Sequence, residues 1–157
     1  MNTTPDAERL RASVLGEELD SEECRILAGK MGARQLKDGE MLVAFESHEH
    51  TLFVLMEGRM GVLGAKDNIV YTMKQGECAG TRAFVDRTPR KATLVAMGNT
   101  TVYTLEPDDF ESLLDTHPRI VYKVMRSLFR ITHTNLMRMN MESQQLSNYI
   151  AKTGGRY

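Results

Sequence analysis

Between residues 33 and 106 the apolar residues fall in short runs, none long enough for an amphipathic helix. The runs are Met41-Leu42-Val43-Ala44, Leu52-Phe53-Val54-Leu55-Met56, Met60-Gly61-Val62-Leu63, Ile69-Val70-Tyr71-Thr72-Met73, Ala92-Thr93-Leu94-Val95-Ala96 and Thr101-Val102-Tyr103-Thr104-Leu105. Turn residues divide them. Closely spaced strands of this kind predict a sandwich or small barrel. Gly98-Asn99, between the last two runs, reads as a hairpin-type turn, and the β portion closes near Glu106.

The flanks have a different period. Leu10, Val14, Leu15, Leu19, Ile26, Leu27 and Met31 recur roughly at helical spacing, so residues 6–31 predict two short helices broken near Gly16. Pro107-Asp108-Asp109-Phe110 opens a short helix, because proline suits a first helical turn and carboxylates favour the positive dipole end. Pro118 starts another. From Arg119 to Lys152 there is neither glycine nor proline, which lets a helix of about thirty residues run to Gly154-Gly155. The C-terminal helices thus occupy 107–152. With 157 residues the chain is expected to form a single domain.

Charge gives little direction: 20 Lys and Arg stand against 21 Asp and Glu, so the whole chain has no pull toward nucleic acid or anionic membrane. Residues 119–157 are basic, as a solvated helix face would be. Met1-Asn2-Thr3-Thr4-Pro5-Asp6 lacks the pattern of a secretory signal, and no stretch approaches the length of a membrane span. Cys24 and Cys78 lie far apart with no metal-ligand or disulfide-framework spacing. A cytoplasmic location is expected.

The segment from Gly76 to Thr93, Gly-Glu-Cys-Ala-Gly-Thr-Arg-Ala-Phe-Val-Asp-Arg-Thr-Pro-Arg-Lys-Ala-Thr, carries specific chemistry. A compact phosphate anion is best held by unpaired backbone N–H groups at a helix start and by a guanidinium that bonds two oxygens at once. Gly80 lets the backbone come close, Thr81, Arg82 and Ala83 supply amides, and Arg90, followed by Lys91, supplies charge. An ordinary surface arginine and strand-end glycines are the plainer reading. The segment resembles the phosphate-binding cassette of cyclic-nucleotide-binding domains, the sensor domains of catabolite-activator-type bacterial regulators. Asp38-Gly39-Glu40 and the run from Leu52 to Gly58 match that family's earlier strand and turn pattern in order, and the resemblance spans roughly residues 20–150.

This resemblance implies a mainly β fold with flanking helices, a double-stranded β-helix (jelly-roll) followed by a long C-terminal helix. It implies a regulatory module that binds a small anionic ligand, a cyclic nucleotide in the family, and is not an enzyme. The family places a glutamate directly after the cassette glycine to accept a hydrogen bond from the ribose 2′-hydroxyl; here Thr81 stands there. A charge-assisted hydrogen bond is worth about 1.5–3 kcal/mol and a neutral hydroxyl recovers roughly half, a loss of about one to two decades in affinity. Arg82 takes a position usually apolar in the family, and a further cation there favours a more highly charged anion or points into solvent.

In the long helix, Val121, Val124, Leu128, Ile131 and Asn135 alternate spacings of three and four, and Met139, Glu142, Leu146 and Tyr149 continue the stripe. This is a coiled-coil-like seam with a stutter. Met125, Phe129, Thr132 and Leu136 form a second stripe one residue round, so two packing partners are expected: the β portion and the same helix of a second copy, giving a homodimer. A polar residue such as Asn135 in a seam fixes register. The resemblance also brings this part of the helix near the nucleotide base, which makes Thr132 and Asn135 candidates for a base-facing edge.

The chain stops at Tyr157, without room for a recognition helix and its support, so sequence-specific DNA binding is not expected. His48-Glu49-His50 could face one side of a strand as two metal ligands, but no third ligand is near in sequence; a redox or gas sensor would use these histidines or Cys78. His117, His133 and the run Met137, Met139 and Met141 read as packing or surface. No metal or other cofactor is expected. The competing reading is a degenerate domain kept as a dimerisation scaffold for an unidentified protein partner.

Overall fold

The computed structural model describes residues 4–154. Two helices, α1 (Ala7–Arg11) and α2 (Ser21–Ala28), precede the strands β1 (Gly32–Leu36), β2 (Met41–Val43), β3 (Leu52–Leu63), β4 (Ile69–Met73) and β5 (Cys78–Ala79). Helix α3 (Thr81–Asp86) interrupts the β region before β6 (Thr93–Leu105), and α4 (Pro107–Glu111), α5 (Leu113–Thr116) and α6 (Pro118–Gly154) follow. The Asp6 carboxylate caps α1 by accepting from the Glu8 and Arg9 amides. Asp20 and Glu23 close a capping box on α2, so both helices start where a side chain satisfies otherwise orphaned N–H groups. Both helices are shorter than their apolar spacing suggests, and residues 12–20 between them are turns.

β3 and β6 form a long antiparallel ribbon, from Leu52 opposite Leu105 to Leu63 opposite Thr93. Short strands pair along its two halves. β1 lies on β6 and β5 on β3 at one end, while β2 and β4 do the same at the other. This is the expected jelly-roll. The apolar run of β3 is unbroken because both faces are covered: Leu52, Val54 and Met56 point to the helix side, and Phe53 and Leu55 point into the roll. Strand side chains alternate, so one strand feeds two cores. Each fully buried side chain of this size contributes roughly 1.5–3 kcal/mol.

The expected hairpin at Gly98-Asn99 does not form. Both residues lie inside β6, and the runs on either side of them are one strand, as are 52–56 and 60–63 in β3. Gly98 has φ +84° at a bulge, where Glu57 faces Thr101 but Arg59 already faces Met97. A bulge and a tight turn draw on the same left-handed glycine, which is why the sequence pattern misleads. Across the ribbon Gly58 has φ +84°, and a Cβ there would lie 2.4 Å from the Asn99 carbonyl oxygen. The ribbon bends here because glycine lets the two backbones touch.

α6 begins at Pro118 as expected. The expected stop at Gly154-Gly155 falls at the edge of the structure, Gly155 lying outside the described residues. Ile120, Val124 and Leu128 are buried in the helix-side core, with Val121 and Ile131 packed against it. Of the residues expected on the dimer seam, Val124 and Leu128 are thus covered by the chain's own core, and Val121 and Ile131 are partly buried against it. Asn135 and Met139, which continue that stripe, are exposed, as are Met125, Phe129 and Leu136 of the neighbouring one. The stripe is real, but periodicity does not say what covers it. Ion pairs fasten this part of α6 to the N-terminal segment: Lys123 to Glu23 at 2.7 Å, Arg126 to Glu18 at 3.5 Å, and Arg130 to Glu18.

Candidate ligand pocket

α3 is set in place by its own apolar residues. Ala83 and Phe84 are buried, and the Phe84 ring meets Phe110 with centroids 5.3 Å apart. The turn into α3 is made by Gly80, whose φ of +85° and lack of a side chain leave the N-terminus uncapped. The first helical hydrogen bond runs from the Phe84 amide to the Gly80 carbonyl, 3.0 Å. The amides of Thr81, Arg82 and Ala83 lie ahead of it, where a helix has N–H groups to offer.

The loop after α3 returns to the same spot. Arg87, at φ +58°, reverses the chain, and Arg90 is pinned at both backbone groups: its N–H donates to Ser47 O at 2.9 Å and its carbonyl accepts from the Glu46 amide at 2.8 Å. Its side chain then passes inward and is only 3% exposed. Nη2 donates to the Thr51 carbonyl at 2.6 Å, and the guanidinium carbon lies 5.3 Å from the Phe53 ring centroid. Nε and Nη1 are buried and have no hydrogen-bond partner among the described residues. A Cβ on Gly80 would fall 2.1 Å from Arg90 Nη1, so only glycine lets the guanidinium reach the start of α3.

No described carboxylate comes within ion-pair distance of Arg90. Burial pulls its pKa down, with the more distant charges of Glu49 and Glu106 acting the other way. A buried cation lacking close compensation costs several kcal/mol. Such a group is poised to gain from an arriving anion, because two of its donors are already desolvated.

These groups open onto a cavity of about 420 Å³. Gly80, Thr81, Arg82, Ala83, Arg90 and Lys91 line one side, and Thr132, Asn135, Leu136, Arg138 and Met139 of α6 line the opposite side. Val43, Val62 and Leu94 from three strands give it apolar walls. The sequence reading thus brings its cassette residues and its two helix candidates, Thr132 and Asn135, to one cavity. Met139, expected on the dimer seam, lines it too. Thr132 also donates its hydroxyl to the Leu128 carbonyl at 2.9 Å.

Tyr71, Glu77 and Arg138 were missed as members of this site. The Tyr71 hydroxyl lies 2.7 and 3.0 Å from the two Glu77 carboxylate oxygens, and the Lys74 amide donates to one of them at 2.8 Å. The Arg138 guanidinium lies over the Tyr71 ring, 4.6 Å from its centroid, so α6 rests on β4 here. Burial, with the bonded Glu77 carboxylate, raises the Tyr71 phenol above its ordinary pKa. On the same wall, desolvation and the neighbouring Glu77 charge push the Cys78 thiol up to about 12. Glu77 and Cys78 lie in the cassette segment without an assigned role; the pairing of β4 with β3 and the reach of α6 bring Tyr71 and Arg138 to them.

His48 lines a neighbouring cavity with Phe45, Glu46, Pro89, Arg90 and Lys91. Nε2 of His50 is buried without a hydrogen-bond partner among the described residues. Among the described residues no three or more His, Cys, Asp or Glu side chains gather as metal ligands, and no helix is long and apolar enough to cross a membrane.

A family model for the cyclic nucleotide-binding domain matches residues 33–117. Among solved structures, a cyclic nucleotide-binding domain from Methylobacillus flagellatus KT is similar with a TM-score of 0.80 and 18% identity, over 88% of this chain and 84% of that one. The Thermus thermophilus catabolite activator protein is similar at 0.74 and 20% identity, over 86% and 63%. The regulatory domain of Toxoplasma gondii PKA, solved with cAMP, gives 0.65 and 18% over 84% and 48%. At these identities the structural likenesses show the fold. No curated protein matches the chain by sequence.

Proposed function

The chain belongs to the cyclic nucleotide-binding domain family, and from that premise we propose that it is a regulatory module whose pocket binds a small anionic ligand of nucleotide type. The observation that carries this reading is Arg90: a guanidinium 3% exposed, with two nitrogens unpartnered, against the glycine that starts α3. A phosphate at this point accepts from Arg90 Nη1, the nitrogen that lies against Gly80, and from the α3 amides. The base lies toward Thr132 and Asn135 on α6, between the apolar walls of the roll. The module is non-catalytic, and it is expected to work in the cytoplasm.

Signalling follows from where the pocket's far wall is. Arg138, Leu136 and Met139 belong to the part of α6 beyond its buried turns, so a ligand that contacts them favours one arrangement of that segment over another. The change is as large as the difference in the ligand's affinity for the two arrangements. The exposed stripe of Met125, Phe129 and Leu136 is where a second copy is proposed to pack, which makes α6 both pocket wall and dimer contact.

A second reading keeps the fold as a dimerisation scaffold for a protein partner. Thr81 favours it, since a hydroxyl replaces the carboxylate that would hold a ribose. The two readings separate in a thermal-shift panel of mono- and dinucleotides: ligand sensing predicts a rise in Tm that Arg90→Met abolishes. No response to any member, in either protein, leaves the scaffold.

A further inference from the structure

We infer that the ligand of this pocket carries two or more negative charges, as a nucleotide with a second phosphate does, and not the single charge of a cyclic mononucleotide. This deepens the anion-pocket reading and rests on it. The argument is the charge of the walls. Arg82, Arg90, Lys91 and Arg138 all line the cavity, and Glu77 is the carboxylate among the lining residues. Glu77 is already engaged, bonded by the Tyr71 hydroxyl and the Lys74 amide. One phosphate charge would answer Arg90 and leave the other three cations facing one occupied carboxylate.

Outside the cavity six of the nine described arginines, Arg9, Arg25, Arg34, Arg87, Arg126 and Arg130, meet a carboxylate, and Arg11, Arg59 and Arg119 meet none among the described residues. Arg82, Arg90 and Arg138 pair with none among the described residues, and all three face this cavity. Arg90 is buried, while Arg82, Lys91 and Arg138 are exposed and line the same cavity. Thr81 adds no negative charge at the start of α3. A cleft lined by one sign with apolar walls concentrates its field on an entering ion. The geometry therefore gives two places for phosphate: an inner one on Arg90 and the α3 amides, and an outer one within reach of Arg82, Lys91 and Arg138. The cavity, about 420 Å³, is within the size range of nucleotide-sized ligand sites.

Calorimetric titration of the whole chain tests this with cAMP and cGMP as singly charged ligands, and with ADP and a cyclic dinucleotide as linear and cyclic carriers of a second phosphate. The expected result is that ADP, the cyclic dinucleotide or both bind at least about tenfold more tightly than cAMP and cGMP, with a steeper loss as salt is raised. The double substitution Arg82→Gln with Arg138→Gln should erase that gap, whereas Arg59→Gln with Arg119→Gln, the same charge change away from the cavity, should keep it. Cyclic mononucleotides that bind as tightly or more tightly, or a gap that survives Arg82→Gln with Arg138→Gln, would overturn the inference. If mononucleotides bind in an Arg90-dependent way without that preference, the pocket reading stands and the second phosphate falls. Silence from all four ligands removes both.

Discussion

The seam between α6 and the N-terminal segment and the pocket lined by the next turns of α6 treat their cations in opposite ways. At the seam Lys123 meets Glu23 at 2.7 Å, and Arg126 and Arg130 converge on Glu18. In the pocket Arg90 is more deeply buried than any of these and its nearest polar contact is a backbone carbonyl, Thr51 O. Paired charges fasten one element to another, since the desolvation of each is offset by its partner. An unpaired one fastens less, here through one hydrogen bond to the Thr51 carbonyl and its place by the Phe53 ring. Its position is explained by what it can attract, and the contrast tells a structural cation from a binding one within a single small fold.

The largest effect expected from this contrast concerns how dry the pocket wall is. The Cys78 thiol, raised from 9.0 to about 12, should hold about a thousandfold less thiolate at pH 8 than the same thiol in the unfolded chain, since each pKa unit is a factor of ten. Labelling by a disulfide reagent should slow accordingly in the folded protein. Because the folded pKa is raised, the stabilisation it reflects is complete below pH 9 and is lost as pH rises toward 12. Equal labelling rates in folded and unfolded chains would mean the wall is wet. Next in size is Gly80→Ala, which forces a Cβ into the position of Arg90 Nη1 and a side chain into a left-handed backbone. Anion affinity should fall by about a hundredfold or more in calorimetry.

The two ends of α6 offer the third test. Phe129 is 71% exposed, so Phe129→Asp should leave urea unfolding unchanged while weakening self-association by about tenfold or more. Light scattering reads this as a shift from twice the chain mass of 17.7 kDa toward that mass. Val124→Asp, inside the core, should unfold the chain instead. A wild-type chain that is a monomer at high micromolar concentration contradicts the proposed dimer. The smallest effect is at the seam, where Lys123→Met should cost about 1 kcal/mol in urea unfolding and leave ligand binding alone.

Much of the architecture could be read from residue order, because strand runs, helix starts at Pro107 and Pro118, and the cassette from Gly76 to Thr93 are local patterns. The errors arise where one local pattern serves two purposes. Gly98-Asn99 looks like a hairpin because a bulge uses the same positive φ. Val124 and Leu128 look like a dimer seam because an apolar stripe is the same whether its cover is a second copy or the chain's own core. The cassette side of the pocket, Gly80 to Ala83 with Arg90, was visible for the opposite reason: a continuous segment carries it. Tyr71 and Arg138 were not, since they meet Glu77 of that segment only through the β3–β4 register and the length of α6. Nor could the sequence show that Arg90 lacks a carboxylate partner, which is a fact about everything around it.

That missing partner is the centre of the account, and parallel calorimetry and thermal melting of the wild type and Arg90→Met test it most directly. The substitution removes a buried charge and one hydrogen bond to the Thr51 carbonyl, and it leaves an apolar side chain of similar length. The account predicts that nucleotide affinity drops by about a hundredfold or more while Tm without ligand stays unchanged or rises, because replacing an uncompensated buried charge with an apolar group is neutral or stabilising. A substantial fall in Tm, with nucleotide binding unchanged, would contradict it and make Arg90 a structural residue.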